Sequence, residues 1–345
     1  MKDLLHRIRA HATPAQLVTL ALAWLVPTLL FVFVPYAEGY GSHKATLLEF
    51  WTWMSEKSED WQHCLIVLPA AVGLFIHALQ AAKLPSRSST WLGLPLLLVA
   101  FVLYWLGYRM AIQYIGWASL QILLIGIIWF LLGWRTVLFF AFPLIFIAFA
   151  WPLPFLDNYI AFPLRMIMSH AAVFILDTIG IDVVRSGTGI LSAPDPLLGI
   201  PAGNKFAVDV ADPCSGIRSL FALMMVSALY ANFTLRSAWQ KWFLFLCSAP
   251  LAIFGNLARI LMLTVGTIVF GAEFAIGKNA LTDPSWFHMT AGYLVFLVAL
   301  GGMVGIGALL TNAPKLASAT REKLKAPEPK NPDSASVPTK REDEY

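Results

Sequence analysis

Runs of about 20 apolar residues recur along this chain, each long enough as a helix to cross a hydrocarbon core about 30 Å thick. They fall at roughly 16–36, 62–82, 90–109, 111–132, 136–156, 215–235, 242–270 and 287–311. In lipid, only a helix or a closed barrel satisfies its own backbone hydrogen bonds. Runs of this length therefore predict an all-α polytopic membrane protein with about eight transmembrane helices. Composition points the same way. Of the 345 residues, 58% are hydrophobic and 13% charged, too little polar surface to cover a water-soluble domain of that size.

The formal net charge is +4. Its basic residues fall between the apolar runs and in the tail instead of forming one patch, which argues against a nucleic-acid partner and reports topology. Cys64, Cys214 and Cys247 are too few and too irregularly spaced for a disulfide framework or a CxxC metal site, and no metal or other cofactor is expected. The basic opening "MKDLLHRIRAHATPAQ" precedes an apolar stretch that lacks a small-residue cleavage site. That stretch reads as a retained first span, not a signal peptide.

A cytoplasmic N-terminus puts Lys2, Arg7, Arg9, Lys83, Arg87, Arg135, Arg236, Lys241 and the basic tail on one side, as the positive-inside bias prefers. The other side receives "SEKSED" (Ser55 to Asp60) and the long connection from Asp157 to Pro213. Within that connection, Asn158 to Leu176 contains Arg165 and His170, and Ile160, Leu164, Ile167, Met168, Ala171 and Ile175 recur on one helical face. This predicts a helix lying in the outer interface; were it to span, the sidedness of the remainder would invert. Gly180 to Pro213 carries short β-favouring pieces, "IDVV" and "FAVDV", between Gly, Pro and Asp turns, and predicts a small extracytoplasmic cap. From Asn312 the chain is polar and Pro-rich, the composition of a disordered cytoplasmic tail. The expected divisions are a five-helix membrane region (1–156), interfacial helix and cap (157–213), a three-helix region carrying the chemistry (214–311) and the tail (312–345).

The reactive side chains cluster in that three-helix region. Cys214 opens the sixth span, flanked by Pro213, Ser215 and Gly216, with Arg218 one turn deeper on the same face. In "GNLARI", Arg259 follows Lys241 by 18 residues, a rise of roughly 27 Å at about 1.5 Å per residue, and Asn256 lies one turn before it. His288 opens the eighth span. Cys214, Arg259 and His288 therefore share one depth. A cysteine thiolate beside an imidazolium or guanidinium is an activated nucleophile. Histidine can protonate a leaving amine, and arginine, always charged, can stabilise an oxyanion. Elsewhere the bland reading holds: Cys64 and Cys247 look like small packing residues, and Arg218 fits either a site residue or a partner for Asp209 or Asp212. Arg259 is harder to dismiss, because a charge inside an apolar helix costs about 2.5 kcal/mol or more.

"PCSGIRSL", then "PLAIFGNLARILML", then "FHMTAGYLVFLVAL" resembles the exosortase/archaeosortase family of polytopic membrane cysteine transpeptidases, and "PLPFLDNYIAFPLRMIMSHAAVFILDTIGIDVVRSGTGI" is similar to the segment leading into their active site. The resemblance covers roughly Ala150 to Gly302. It implies Cys214 as nucleophile, Arg259 as the motif arginine and His288 as catalytic histidine, with Arg218, Asn256, Ser215 and Gly216 in support. It also implies a bacterial inner-membrane enzyme, both termini cytoplasmic and the site at the outer face. Its partners would be exported proteins bearing a C-terminal sorting signal (a Pro-Glu-Pro-like motif, a transmembrane helix and a basic cluster), often in bacteria that make exopolysaccharide. Membrane lipids are the other expected partner. Two departures stand out: "DP" precedes the cysteine where the family pattern has an acidic residue and alanine, and "LSAPDPLLGIPAGNK" extends the cap. Two rival classes fit part of the pattern. A non-enzymatic transporter or exopolysaccharide assembly component would use the arginines to bind an anionic substrate, and a membrane acyltransferase would use the histidine and arginine without the cysteine.

Overall fold

A computed structural model describes residues 10–38, 44–86, 88, 90–209, 216–279 and 283–325. Helix α1 (Pro14–Phe33) opens on a capping box in which the Thr13 hydroxyl accepts from the Gln16 amide and the Gln16 side chain accepts from the Thr13 amide. Gln16 also donates its Nε2–H to the Pro85 carbonyl, 2.8 Å away. This ties α1 to the connection after α3 (Cys64–Ala81). Between them lie a hairpin, β1 (Pro35–Glu38) with β2 (Lys44–Thr46), and helix α2 (Leu47–Lys57). Helices α4 (Leu94–Met110) and α5 (Gln113–Leu132) form a close antiparallel pair. A Cβ at Gly93 would come 2.6 Å from the Phe130 backbone, and one at Gly126 would come 2.8 Å from Leu97. Small residues allow this approach, the usual basis of helix association where lipid provides no hydrophobic drive.

Hydrogen bonds from the Ser88 amide to Leu132 and from the Leu84 amide to His11 gather the start of α1, the α3–α4 connection and the end of α5 at one end of the bundle, the tail end. From there the chain crosses back in pieces: α6 (Trp134–Phe139), α7 (Ala141–Phe146) and a 3-10 turn, Ile147–Ala150. At the opposite, cap end, the Phe149 carbonyl accepts from Cys64 Sγ (3.5 Å) and the Ala150 carbonyl from the Trp51 indole (2.6 Å). The single helix expected over 136–156 is thus broken and shorter. Pro143 has no N–H to offer the Phe139 carbonyl, where α6 ends, and its ring crowds that carbonyl. Trp151, before Pro152, is extended, as a residue preceding proline prefers.

Helices α9 (Ile217–Thr234), α10 (Ala238–Phe270) and α12 (Trp286–Lys325) form a second unit. α10 is antiparallel to both neighbours: the Ser227 hydroxyl donates to the Leu244 carbonyl (3.1 Å), and Gln240 Nε2 donates to the Leu310 carbonyl (2.8 Å). Its 33 residues extend about 50 Å, well past the start of α9. Beyond it come a short α11 (Ala272–Ala275) and the hairpin β6 (Gly277–Asn279) with β7 (Asp283–Pro284). The expectation of a disordered segment from Asn312 gives way to helix as far as Lys325, since "LASATREKLK" is built largely from good helix formers.

Among the described residues, eight helices are long and apolar enough to cross a membrane, and Asn158–Thr178 is one of them. Its main part, α8 (Phe162–Thr178), nevertheless does not run the length of the bundle. Met168, Ala172 and Leu176 join one apolar cluster with Ile260 and Leu263 of α10, Ala291 of α12, and Val183 and Ile190 of a small sheet. Leu156, just before the helix, joins the cluster of Trp61 and Phe221. Both ends of α8 therefore lie at the cap end. The sheet is antiparallel, β3 (Val183–Ser186), β4 (Gly189–Ser192) and β5 (Ala207–Val208), with Val183 opposite Ser192 and Ile190 opposite Val208. Leu98, Phe254 and Leu297 are 66%, 68% and 61% exposed, an outer surface suited to lipid and not to water.

Candidate active site

Cys214 and Ser215 lie outside the described residues; the account begins at Gly216. Gly216 caps α9 with a φ of 75°, a backbone conformation that costs a residue with a Cβ roughly 1–2 kcal/mol. Space imposes the same choice. A Cβ at Gly216 would come 2.9 Å from Asn256 Nδ2 and 3.0 Å from its Cγ. The start of α9 thus rests directly on Asn256 of α10, which is 5% exposed.

One turn further along α10, Arg259 meets α12. A Cβ on Gly292 would lie 3.3 Å from the guanidinium carbon and 3.4 Å from Nε, so the arginine lies flat against the bare backbone of that glycine. His288 precedes Gly292 by four residues, one helical turn on the same face, and is 4% exposed. Its amide is capped by the Ser285 hydroxyl at 3.0 Å, and that hydroxyl donates to the Ala275 carbonyl at 3.0 Å. The short α11 thereby fixes where α12 begins, and with it the height of the imidazole.

The structure brings Gly216, Asn256, Arg259 and His288 to one level at the cap end, where the three helices converge. Arg218 lies in the first turn of α9 and is half-buried. Of its two proposed carboxylate partners, Asp209 accepts a hydrogen bond from the Thr188 hydroxyl within the cap (3.0 Å), and Asp212 is outside the described residues. Arg218, Asn256, Arg259 and His288 are all engaged by neighbouring groups. A cavity of about 40 Å³ lies beside Asn256 and Arg259, bounded also by Ser219, Gly292 and Phe296, room for about one water molecule.

One further residue belongs to the site, and a second packs on a different face of α9. Gly292 is silent in the sequence, because one glycine in "HMTAGY" carries no signal until an arginine from another helix is laid against it. His63, before α3, stacks on Phe221 of α9 at 5.7 Å with 10° between the rings, and its Nδ1 contacts the Asp60 carbonyl at 3.1 Å. Burial lowers the His63 pKa below its ordinary 6.5, against a smaller upward pull from that carbonyl. Cys64 is fully buried in the N-terminal core and bonded to Phe149, a packing role. Among the described residues, no cluster of three or more His, Cys, Asp or Glu side chains forms a metal site.

A polytopic helical membrane protein with a polar, arginine- and histidine-bearing convergence of three helices under a small cap is the class these features define. A family model for the transmembrane exosortases matches residues 51–305, most of the chain, and the protein belongs to that family. No curated protein and no solved structure matches it.

Proposed function

We propose that this exosortase is a cysteine protease or transpeptidase that cleaves the C-terminal sorting signals of exported proteins, with Cys214 as nucleophile. The observation that supports this most is the convergence of Arg259 and His288 beneath the first turn of α9, whose cap Gly216 follows the cysteine by two residues. The Cys214 thiolate adds to the scissile carbonyl carbon, and the carbonyl oxygen takes up the displaced electron pair. Arg259 donates to that oxyanion. The His288 imidazolium gives its proton to the departing amine nitrogen as the C–N bond breaks, leaving a thioester. An amine or water then attacks the thioester, His288 takes the proton released, and the thiolate leaves. Asn256 and Gly216 act as positioning residues, holding the start of α9 against the arginine.

Sidedness follows from charge. At the tail end the short connections carry Lys83 and Arg236, and α6 carries Arg135 in its first turn, with no Asp or Glu among the described residues of those connections; the positive-inside bias favours the cytoplasm for that end. The site then faces the outer side of the bacterial inner membrane, where a signal-bearing protein arrives after export.

Co-expression with an exported reporter carrying a Pro-Glu-Pro, helix and basic-cluster tail tests the reading, with the reporter followed by mass. Loss of processing in Cys214→Ala, with Cys64→Ala and Cys247→Ala still active, is the expected result, and the new C-terminus separates hydrolysis from transfer. Full processing by Cys214→Ala would overturn the mechanism. A requirement for Arg259 without one for Cys214 would favour a transporter.

A further inference from the structure

Away from the site, α7, α9 and α10 enclose a groove of about 280 Å³ on the tail-end half of the bundle. Its walls are Phe146, Phe149, Ala228, Ala231 and Phe245, and it opens outward between Ile145 and Trp242, themselves 60% and 61% exposed. One cation lines it. Lys241, in the first turn of α10, extends its Nζ to within 3.4 Å of the Asn232 side-chain oxygen.

The ten described residues bounding the groove include no carboxylate, and Lys241, the one cation among them, is met by a neutral amide. Arg236, in the α9–α10 connection five residues before Lys241, adds a second cation, and that connection holds no Asp or Glu. The site is therefore apolar inside and cationic at the rim, with the cation at the depth where helices end and headgroups begin. A transmembrane helix, about 10–12 Å across, is too wide for this volume, and a substrate's basic cluster would be repelled by the lysine. A single acyl chain fits the slot, and a phosphate fits the ammonium.

We propose that this groove binds one acyl chain of an anionic phospholipid, with the lipid phosphate on Lys241. Native mass spectrometry of the full chain in detergent tests it, using phosphatidylglycerol and phosphatidylcholine with identical chains. The wild type should retain one phosphatidylglycerol about fivefold better than phosphatidylcholine, the preference expected from one lysine near the surface. Lys241→Gln should equalise the two lipids without changing thermal unfolding in lipid-free detergent, and Lys278→Gln, at the cap end, should leave the preference intact. Ala228→Phe, which fills the slot, should abolish retention of both. Equal retention by the wild type, or a preference that survives Lys241→Gln, overturns the proposal. Should Ala228→Phe fail to fold, the lysine series decides alone.

Discussion

At the scale of single residues, the site depends as much on what is missing as on what is present. Gly292 offers no side chain, and that absence is what lets the Arg259 guanidinium lie against α12 within a turn of His288. Gly292→Ala separates site geometry from stability. Alanine is the better helix former by about 1 kcal/mol, so thermal unfolding in detergent should hold steady or rise slightly. The added methyl, 3.3 Å from the guanidinium carbon, should displace the arginine and lower reporter processing at least tenfold, a loss of about 1.4 kcal/mol of transition-state stabilisation. Parallel losses of stability and processing would mean that Gly292 serves packing alone. Arg259 and His288 were legible in the sequence because a charge in an apolar helix and a histidine opening one are conspicuous. Gly292 was not, because its meaning depends on the helix beside it.

At the scale of elements, the connections carry information that apolar runs do not. The His63–Phe221 stack joins the segment before α3 to the first turns of α9, bracing the helix that follows the motif cysteine. An unfolded imidazole takes up a proton near 6.5, whereas the buried one, its pKa lowered, does so only at lower pH. Stability is therefore highest above about 6.5 and falls as pH drops from there toward the folded pKa. Thermal unfolding between pH 7.5 and 5 should show this fall, and His63→Gln should flatten it; an unchanged slope would rule His63 out as its source. The cap is legible in "IDVV" and "FAVDV", whereas the break in the fifth run, at Pro143, lies within an uninterrupted apolar stretch and is not. For 158–176, apolar content alone does not separate a span from a helix across the cap; Arg165, His170 and the one-sided apolar spacing are what point to the interfacial helix.

At the scale of the whole molecule, the start of α1, the α3–α4 and α9–α10 connections and the stretch of α12 around Leu310 gather at the tail end, while α8, the sheet and the candidate site gather at the other. Single cysteines introduced at exposed positions in a background lacking Cys64, Cys214 and Cys247 should report this division: Trp239→Cys in α10 shielded from a membrane-impermeant maleimide in intact cells, and Leu197→Cys in the cap labelled. The opposite pattern would invert the assignment. The amino-acid sequence by itself determined that the chain is a helical membrane protein and which side chains are chemically conspicuous. Both follow from local properties, the length of an apolar run and the cost of a charge within it. Only the tertiary structure decided that α8 stays at the cap end, that α6 and α7 cross as a broken helix, and that Arg259 rests on Gly292. Each of these turns on which residues of distant segments touch, and hydrophobic burial, being non-directional, leaves that choice to the shapes of the packed surfaces.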